Sequence, residues 1–235
     1  MPSILCLSGW GQQHSSIEDS LCPKILEQFK IESFDYAKFA EIASVFNYCI
    51  NQFQNPDILI GWSLGAQIST RLVANKIFAP KLLVLITPPF QLVKNHNIHA
   101  AMSSKTFDIF YHNFAKSPNE TMKKFAILSI MNDKNKAQII EKMNLNTDHS
   151  NLQSWLKELQ DFSCFDIDFK DFPPTLLFSG AGDMIVHHSQ ANYFSDRIAN
   201  IEIHQFKECG HAPHLNNPSL FNQILLNKIN SLLIQ

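Results

Sequence analysis

Ile58-Leu59-Ile60-Gly61-Trp62-Ser63-Leu64-Gly65-Ala66-Gln67-Ile68 runs from aliphatic residues, through a serine set between two glycines, into helix formers. The first part reads as a buried strand and the last as the start of a helix, so Ser63 falls on a sharp strand-to-helix turn. A residue on such a turn sits in strained backbone, and side chains at positions 61 and 65 would collide with the adjoining strand and helix. The turn lifts the Ser63 hydroxyl clear of the sheet. It also leaves the Leu64 N–H at the amino end of a helix, where negative charge is stabilised.

Outward from this turn, similar apolar runs recur at Ile4 to Leu7, Ile31 to Tyr36, Leu82 to Thr87, Thr175 to Ser179 and Ile201 to Phe206. Most are continuous rather than alternating, which suits strands covered on both faces. Helical spacing lies between them, as in Phe39, Ile42, Ala43, Phe46 and Ile50, and again in Leu220, Ile224, Leu225, Ile229 and Leu232. Alternating strands and helices predict an α/β, doubly wound, mostly parallel sheet of about six strands.

One interval breaks the alternation. Residues 90–172 show helical periodicity without a strand and are bracketed by Pro88-Pro89 and Pro173-Pro174, residue pairs that stop helices. The reading is a helical cap, residues 90–172, inserted into a core of residues 1–89 and 173–235. Within it, helices are expected over Thr106 to Phe114, after Ser117-Pro118-Asn119-Glu120, and over Asn151 to Leu159. The second begins on a capping box and carries Met122, Phe125, Ile127, Leu128 and Met131.

Composition narrows the function. The 45% hydrophobic and 17% charged residues indicate a globular chain, and the net charge of −2 gives no nucleic-acid signature. Five cysteines without regular spacing form neither a disulfide framework nor a zinc ribbon. The start, Met1-Pro2-Ser3-Ile4-Leu5-Cys6-Leu7, has no basic flank and breaks at Ser8, and no apolar run approaches the ~20 residues of a membrane span. The expectation is a cytoplasmic monomer with no cofactor, metal, nucleic-acid or membrane partner.

The chain has only 7 glycines in 235 residues, and they fall in four windows. Besides the turn at Gly61 and Gly65 these are Ser8-Gly9-Trp10-Gly11, Gly180-Ala181-Gly182-Asp183 and Gly210-His211-Ala212-Pro213. Each follows a predicted strand. The first window places the Trp10 N–H where it can join that of Leu64 on a developing oxyanion. The third and fourth supply Asp183 and His211. A serine hydroxyl is a poor nucleophile unless a base takes its proton, histidine can do so near neutrality, and an aspartate fixes the tautomer. Rival assignments are Asp161, Asp166 or Asp168 as the acid, a metal site drawing on His187, His188 and His214, and Cys209 as a second nucleophile.

These four windows together resemble the α/β-hydrolase carboxylesterases that hydrolyse the methyl ester of pimeloyl-acyl carrier protein in biotin synthesis. The likeness spans nearly the whole chain and includes Lys123-Lys124-Phe125-Ala126-Ile127-Leu128, similar to the family's basic-then-apolar cap helix. It implies that Ser63, Asp183 and His211 are a catalytic triad and that Trp10 and Leu64 form the oxyanion hole. Trp10, Trp62 and Phe125 would line the acyl pocket, Lys123 and Lys124 would meet acyl carrier protein, and methanol would leave. In departure from the family, Ser8 stands where histidine is common, the amino-terminal hairpin is not expected, and lysines replace cap arginines, Arg71 and Arg197 being the only arginines.

Charge supports a carrier-borne substrate independently. Lys116, Lys123, Lys124, Lys134, Lys136 and Lys142 face only Glu120, Asp133 and Glu141 over one cap stretch, and a basic rim steers an acidic partner. Alternatives are a broad small-ester carboxylesterase or C–C hydrolase on the same fold, and a non-catalytic binding protein.

Overall fold

The computed structural model describes residues 1–233. In chain order the elements are β1 (Ser3–Leu7), α1 (Pro23–Gln28), β2 (Lys30–Ser33), α2 (Ile42–Gln52), β3 (Ile58–Trp62), α3 (Leu64–Ala74) and β4 (Leu82–Ile86). There follow α4 (Ser104–Lys116), α5 (Pro118–Ser129), α6 (Lys136–Lys142) and α7 (Leu152–Asp161), then β5 (Thr175–Gly180), α8 (Gln190–Ser195), β6 (Ile201–Phe206), α9 (Pro213–Asn216) and α10 (Pro218–Leu233).

The six strands form one sheet in the order β2-β1-β3-β4-β5-β6, and every neighbouring pair is parallel. The direction of winding reverses between β1 and β3, a crevice at which open α/β sheets bind ligands. Leu7 pairs with Gly61, Trp62 with Ile86, and Ile86 with Phe178, so the carboxyl ends of β1, β3, β4 and β5 come level. Their loops therefore converge on one patch.

Alternation along the strands sorts the core into two layers. Leu5, Leu7, Leu59, Leu83, Leu85 and Leu177 pack with α2, α3 and α8 on one face. Ile4, Cys6, Ile60, Trp62, Ile86 and Phe178 pack with α1 and α10 on the other. Helix α5 contributes to both, through Met122 to the first layer and Ala126 to the second.

Several details differ from the sequence reading. The strand expected to reach Tyr36 ends at Ser33, because Asp35 accepts the Ala37 N–H and turns the chain. On α2 the fully buried residues are Val45 and Cys49, whereas Ala43 and Ile50 face solvent; the stripe is rotated toward the small thiol, which fits flush against the sheet. Helix α10 buries Phe221, Leu225 and Ile229 and leaves Leu220 exposed. No capping box forms at Ser117. That residue closes α4 through its N–H to Asn113 and opens α5 through its carbonyl, and its hydroxyl makes no cap bond. On and beyond α5, Ile127 and Met131 are exposed rather than packed. Helix α6, which the periodicity did not suggest, anchors itself with Ile139.

Candidate active site

The tightest backbone in the site is at the turn after β3. Ser63 has φ 53° and ψ −115°, a conformation uncommon for a residue with a side chain. It is held there by its own N–H to the Ile86 carbonyl and by the Gln67 N–H to its carbonyl. A Cβ on Gly65 would stand 2.0 Å from the Leu7 carbonyl oxygen, so only glycine lets α3 cross this close to β1. The predicted need for glycine thus has a specific cause, the backbone of the neighbouring strand.

Ser63, His211 and Asp183 are brought together in a hydrogen-bonded line. His211 Nε2 lies 2.8 Å from Ser63 Oγ, and His211 Nδ1 lies 2.7 Å from Asp183 Oδ2. The second carboxylate oxygen of Asp183 accepts the Ile185 and Val186 N–H groups at 2.8 and 3.0 Å. This occupies both oxygens and sets the carboxylate plane. All three side chains are buried, with Ser63 6% exposed at the base of a cavity. The carbonyl of His211 is pinned from below by Trp62 Nε1 and Thr87 Oγ1 at 2.8 and 3.0 Å.

Among the described residues, no backbone or side-chain acceptor takes the N–H of Trp10 or of Leu64. Two free donors beside the serine, one at the amino end of α3, can take up a developing negative charge. The loop bearing Trp10 is fixed without a histidine at position 8. Ser8 Oγ donates to the His14 carbonyl and accepts from Ser16 Oγ, while its carbonyl accepts from Tyr36. Trp10 Nε1 reaches the Leu152 carbonyl at 2.8 Å, and its ring packs edge-on against Phe110, Phe114 and Phe125.

The cavity above Ser63 measures about 100 Å³. Trp10 and Phe125 line it, joined by Phe107, Phe110, Leu128 and Leu156 among others. Thr106 is the one other hydroxyl in its wall. A groove of about 400 Å³ between α4 and α5 shares Thr106, Phe110, Phe125 and Leu128 with the cavity, and Lys116 and Lys124 stand on its sides. Lys123 and Lys124 are both exposed.

Trp62 is not in that wall. Because side chains alternate along β3, it points to the opposite face of the sheet, 2% exposed, beneath the histidine loop. Its indole meets His214 edge-on at 4.6 Å. The expectation that it contacts an acyl chain is corrected accordingly; it braces His211. The rivals also fall away from the centre. Asp161, Asp166 and Asp168 are exposed, and burial pushes the Cys209 thiol far above its ordinary value. Among the described residues, no three His, Cys, Asp or Glu side chains gather as a metal site. His214 is buried with neither ring nitrogen partnered, and desolvation, helped by the nearby His211, lowers its pKa to about 3.

Residues the sequence reading missed lie mostly in the helices of the roof. Phe107, Phe110 and Leu156 were recognisable as apolar but not as cavity-facing, since several helical faces of that region are apolar. Asp133, which the charge pattern sets with Glu120 and Glu141 against the cap lysines, is 4% exposed.

Similarity to known proteins agrees with this geometry. The chain is 22% identical over 234 residues to a protein of Nitrosomonas europaea named pimeloyl-[acyl-carrier protein] methyl ester esterase, covering 94% of this chain and 92% of that one. A protein of the same name from Nitrosospira multiformis is 24% identical, covering 94% and 91%. Among solved structures, an esterase from Exiguobacterium antarcticum superposes with a TM-score of 0.84 at 18% identity over 98% of this chain and 92% of that one. The alpha/beta hydrolase family profile matches residues 5–224. With that match and the sheet order described above, the chain belongs to the alpha/beta hydrolase family.

Proposed function

We propose that this protein is a serine carboxylesterase that hydrolyses the methyl ester of pimeloyl-acyl carrier protein in biotin synthesis, releasing methanol. The observation that carries this reading is the Ser63–His211–Asp183 hydrogen-bonded line at the base of an apolar cavity. Ser63 Oγ attacks the ester carbonyl as His211 Nε2 takes its proton, and the oxyanion settles on the Trp10 and Leu64 N–H groups. Collapse expels methoxide, which leaves as methanol with the proton from His211. Water, deprotonated by His211, then attacks the acyl-serine, and Ser63 recovers its proton as the acid departs. Each oxyanion donor contributes about 3 kcal/mol to the transition state.

The substrate assignment rests on three features together. A methyl ester is neutral, so it enters a cavity lined almost wholly by hydrocarbon, whereas the product carboxylate is disfavoured there and is driven out. The groove between α4 and α5 gives a carrier-tethered chain a path along walls shared with the cavity. Lys116 and Lys124 line this groove, Lys123 is exposed on the same helix as Lys124, and Asp133, the acidic residue next along that stretch, is buried. In this reading residues 90–172 act as the cap. The relatives' names supply the pimeloyl chain.

A small free ester is the second reading, favoured by the modest cavity of about 100 Å³. Hydrolysis of methyl pimeloyl-carrier and of free dimethyl pimelate by the same preparation separates the two. A kcat/KM at least tenfold higher on the carrier supports the first reading. Equal values, or preference for the free ester, overturn it.

A further inference from the structure

The end of α5 lies directly against both catalytic loops. The Ser129 carbonyl accepts the His211 N–H at 2.7 Å. Asp133 Oδ2 accepts the Gly210 N–H at 3.0 Å, and its Oδ1 accepts Asn216 Nδ2 at 2.6 Å. Asn132 Nδ2 donates to the Gly182 carbonyl at 2.8 Å. Ser129, Asn132 and Asp133 therefore hold the backbone N–H groups of Gly210 and His211 and the carbonyl of the residue just before Asp183.

Contact distances explain why the loops meet this segment at glycine. A Cβ on Gly210 would lie 2.2 Å from the Ser129 carbonyl and 2.6 Å from Asp133 Oδ2. A Cβ on Gly182 would lie 2.6 Å from Asn132 Cβ. Two of the four glycine windows are thus shaped by the end of α5 and the residues just after it.

Asp133 is an unusual choice for a mere packing residue. It is 4% exposed, and among the described residues no lysine, arginine or histidine pairs with it. Burial, reinforced by Asp183, raises its carboxyl above the usual range, against the pull of the donors on Gly210 and Asn216. An unpaired buried carboxylate is costly unless its hydrogen bonds are made. Here both oxygens are spent on the histidine loop and the helix that follows it.

One turn earlier, α5 carries Phe125 and Leu128 in the cavity wall, and Ala126 in the core layer beneath the sheet. We propose that residues 129–133 form a clamp, with Asp133 as a positioning residue, so that the helix lining the acyl cavity also sets His211 against Ser63. This rests on the triad reading given above. Asp133 touches no reacting atom; it acts through Gly210 and the backbone of His211.

The test compares Asp133→Ala, Asp133→Asn, and the exchange Asp133→Asn with Asn216→Asp, which restores a donor–acceptor pair in the opposite sense. Rates are expressed per folded molecule, and fluorophosphonate inactivation of Ser63 is followed beside turnover because it reads the serine–histidine pair directly. Small displacements of catalytic groups cost up to about a hundredfold. The expected result is a fall of about ten- to a hundredfold in both kcat and inactivation rate for Asp133→Ala, with KM within about twofold. Asp133→Asn, which keeps an acceptor for Gly210, loses less, and the exchange recovers most of the loss. Asn222→Ala, which unties α10 from Ser20 and Cys22, lowers the melting temperature and leaves kcat unchanged. A wild-type kcat per folded molecule in both Asp133 variants, or a loss confined to KM, overturns the clamp. Ser63→Ala separates the two layers of inference: if it is inactive while Asp133→Ala is fully active, the clamp fails and the triad stands; if it is active, the triad fails as well.

Discussion

Ser63 and Phe125 both face the apolar cavity, yet they arrive there by different means. The floor, carrying Ser63, Trp10, Asp183 and His211, is set by backbone requirements: parallel strand ends brought level, a φ of 53° at Ser63, and a glycine where α3 crosses Leu7. The roof, carrying Phe107, Phe110, Phe125 and Leu128, is set by side chains packing on side chains. A floor built from backbone tolerates almost no local change, whereas a roof built from hydrocarbon can be reshaped one residue at a time. The difference predicts that floor substitutions act on kcat or on folding, and roof substitutions on KM and partner choice.

The largest expected effect belongs to the floor. Asp183→Asn keeps the geometry but removes the charge that orients and stabilises the histidine, and kcat should fall by about 10⁴ at unchanged KM. Steady-state kinetics on the methyl ester check this; a loss below about tenfold would place Asp183 outside the machinery. Next is Gly65→Ala, whose methyl group meets the Leu7 carbonyl. Forcing it in costs about 1–3 kcal/mol of stability, read as a lowered denaturant midpoint. The roof comes third. Phe125→Ala opens the cavity wall and should raise KM about tenfold for the carrier-borne ester with a smaller change in kcat. A change confined to kcat would erase the distinction between the two regions.

His214 sharpens the comparison from beneath. It is three residues from His211, in α9, but it meets Trp62 edge-on with neither nitrogen bonded. Its folded pKa of about 3 lies below its ordinary value of 6.5, so the unfolded chain takes the proton first as pH falls. The stability it contributes is complete above about pH 6.5 and drains away toward pH 3, by about 1 kcal/mol between pH 6.5 and pH 5.5. Denaturant melts at those two values should show this drop, and His214→Phe should flatten it; parallel curves would contradict the assignment. The smallest effect is on the exposed rim. Lys123→Glu with Lys124→Glu should slow carrier-ester turnover severalfold at low salt and little at high salt, leaving free esters untouched.

The same contrast explains what could be read from the sequence. The four inner strands were legible because strands buried on both faces are continuous apolar runs; the edge strands β2 and β6 are partly exposed and broken by charged or polar residues, and the end of β2 was misplaced. The floor residues were legible because their glycines have no other reason to cluster. Trp62 was misplaced because a motif gives adjacency along the chain, while the strand's alternation sends residues 62 and 63 to different sides. Asp133 was invisible because nothing in a lysine-rich stretch distinguishes a solvated carboxylate from one turned inward beneath a loop some 80 residues away. The roof helices were recognised as helices, but which apolar face looks into the cavity depends on how they pack.

The central claim is that Ser63, activated by His211, performs ester hydrolysis in the cavity. Methanol release from methyl pimeloyl-carrier by the native protein and by Ser63→Ala, at matched folded concentration, tests it most directly. The substitution should lower kcat by at least about 10³. Equal rates in the two proteins would contradict it.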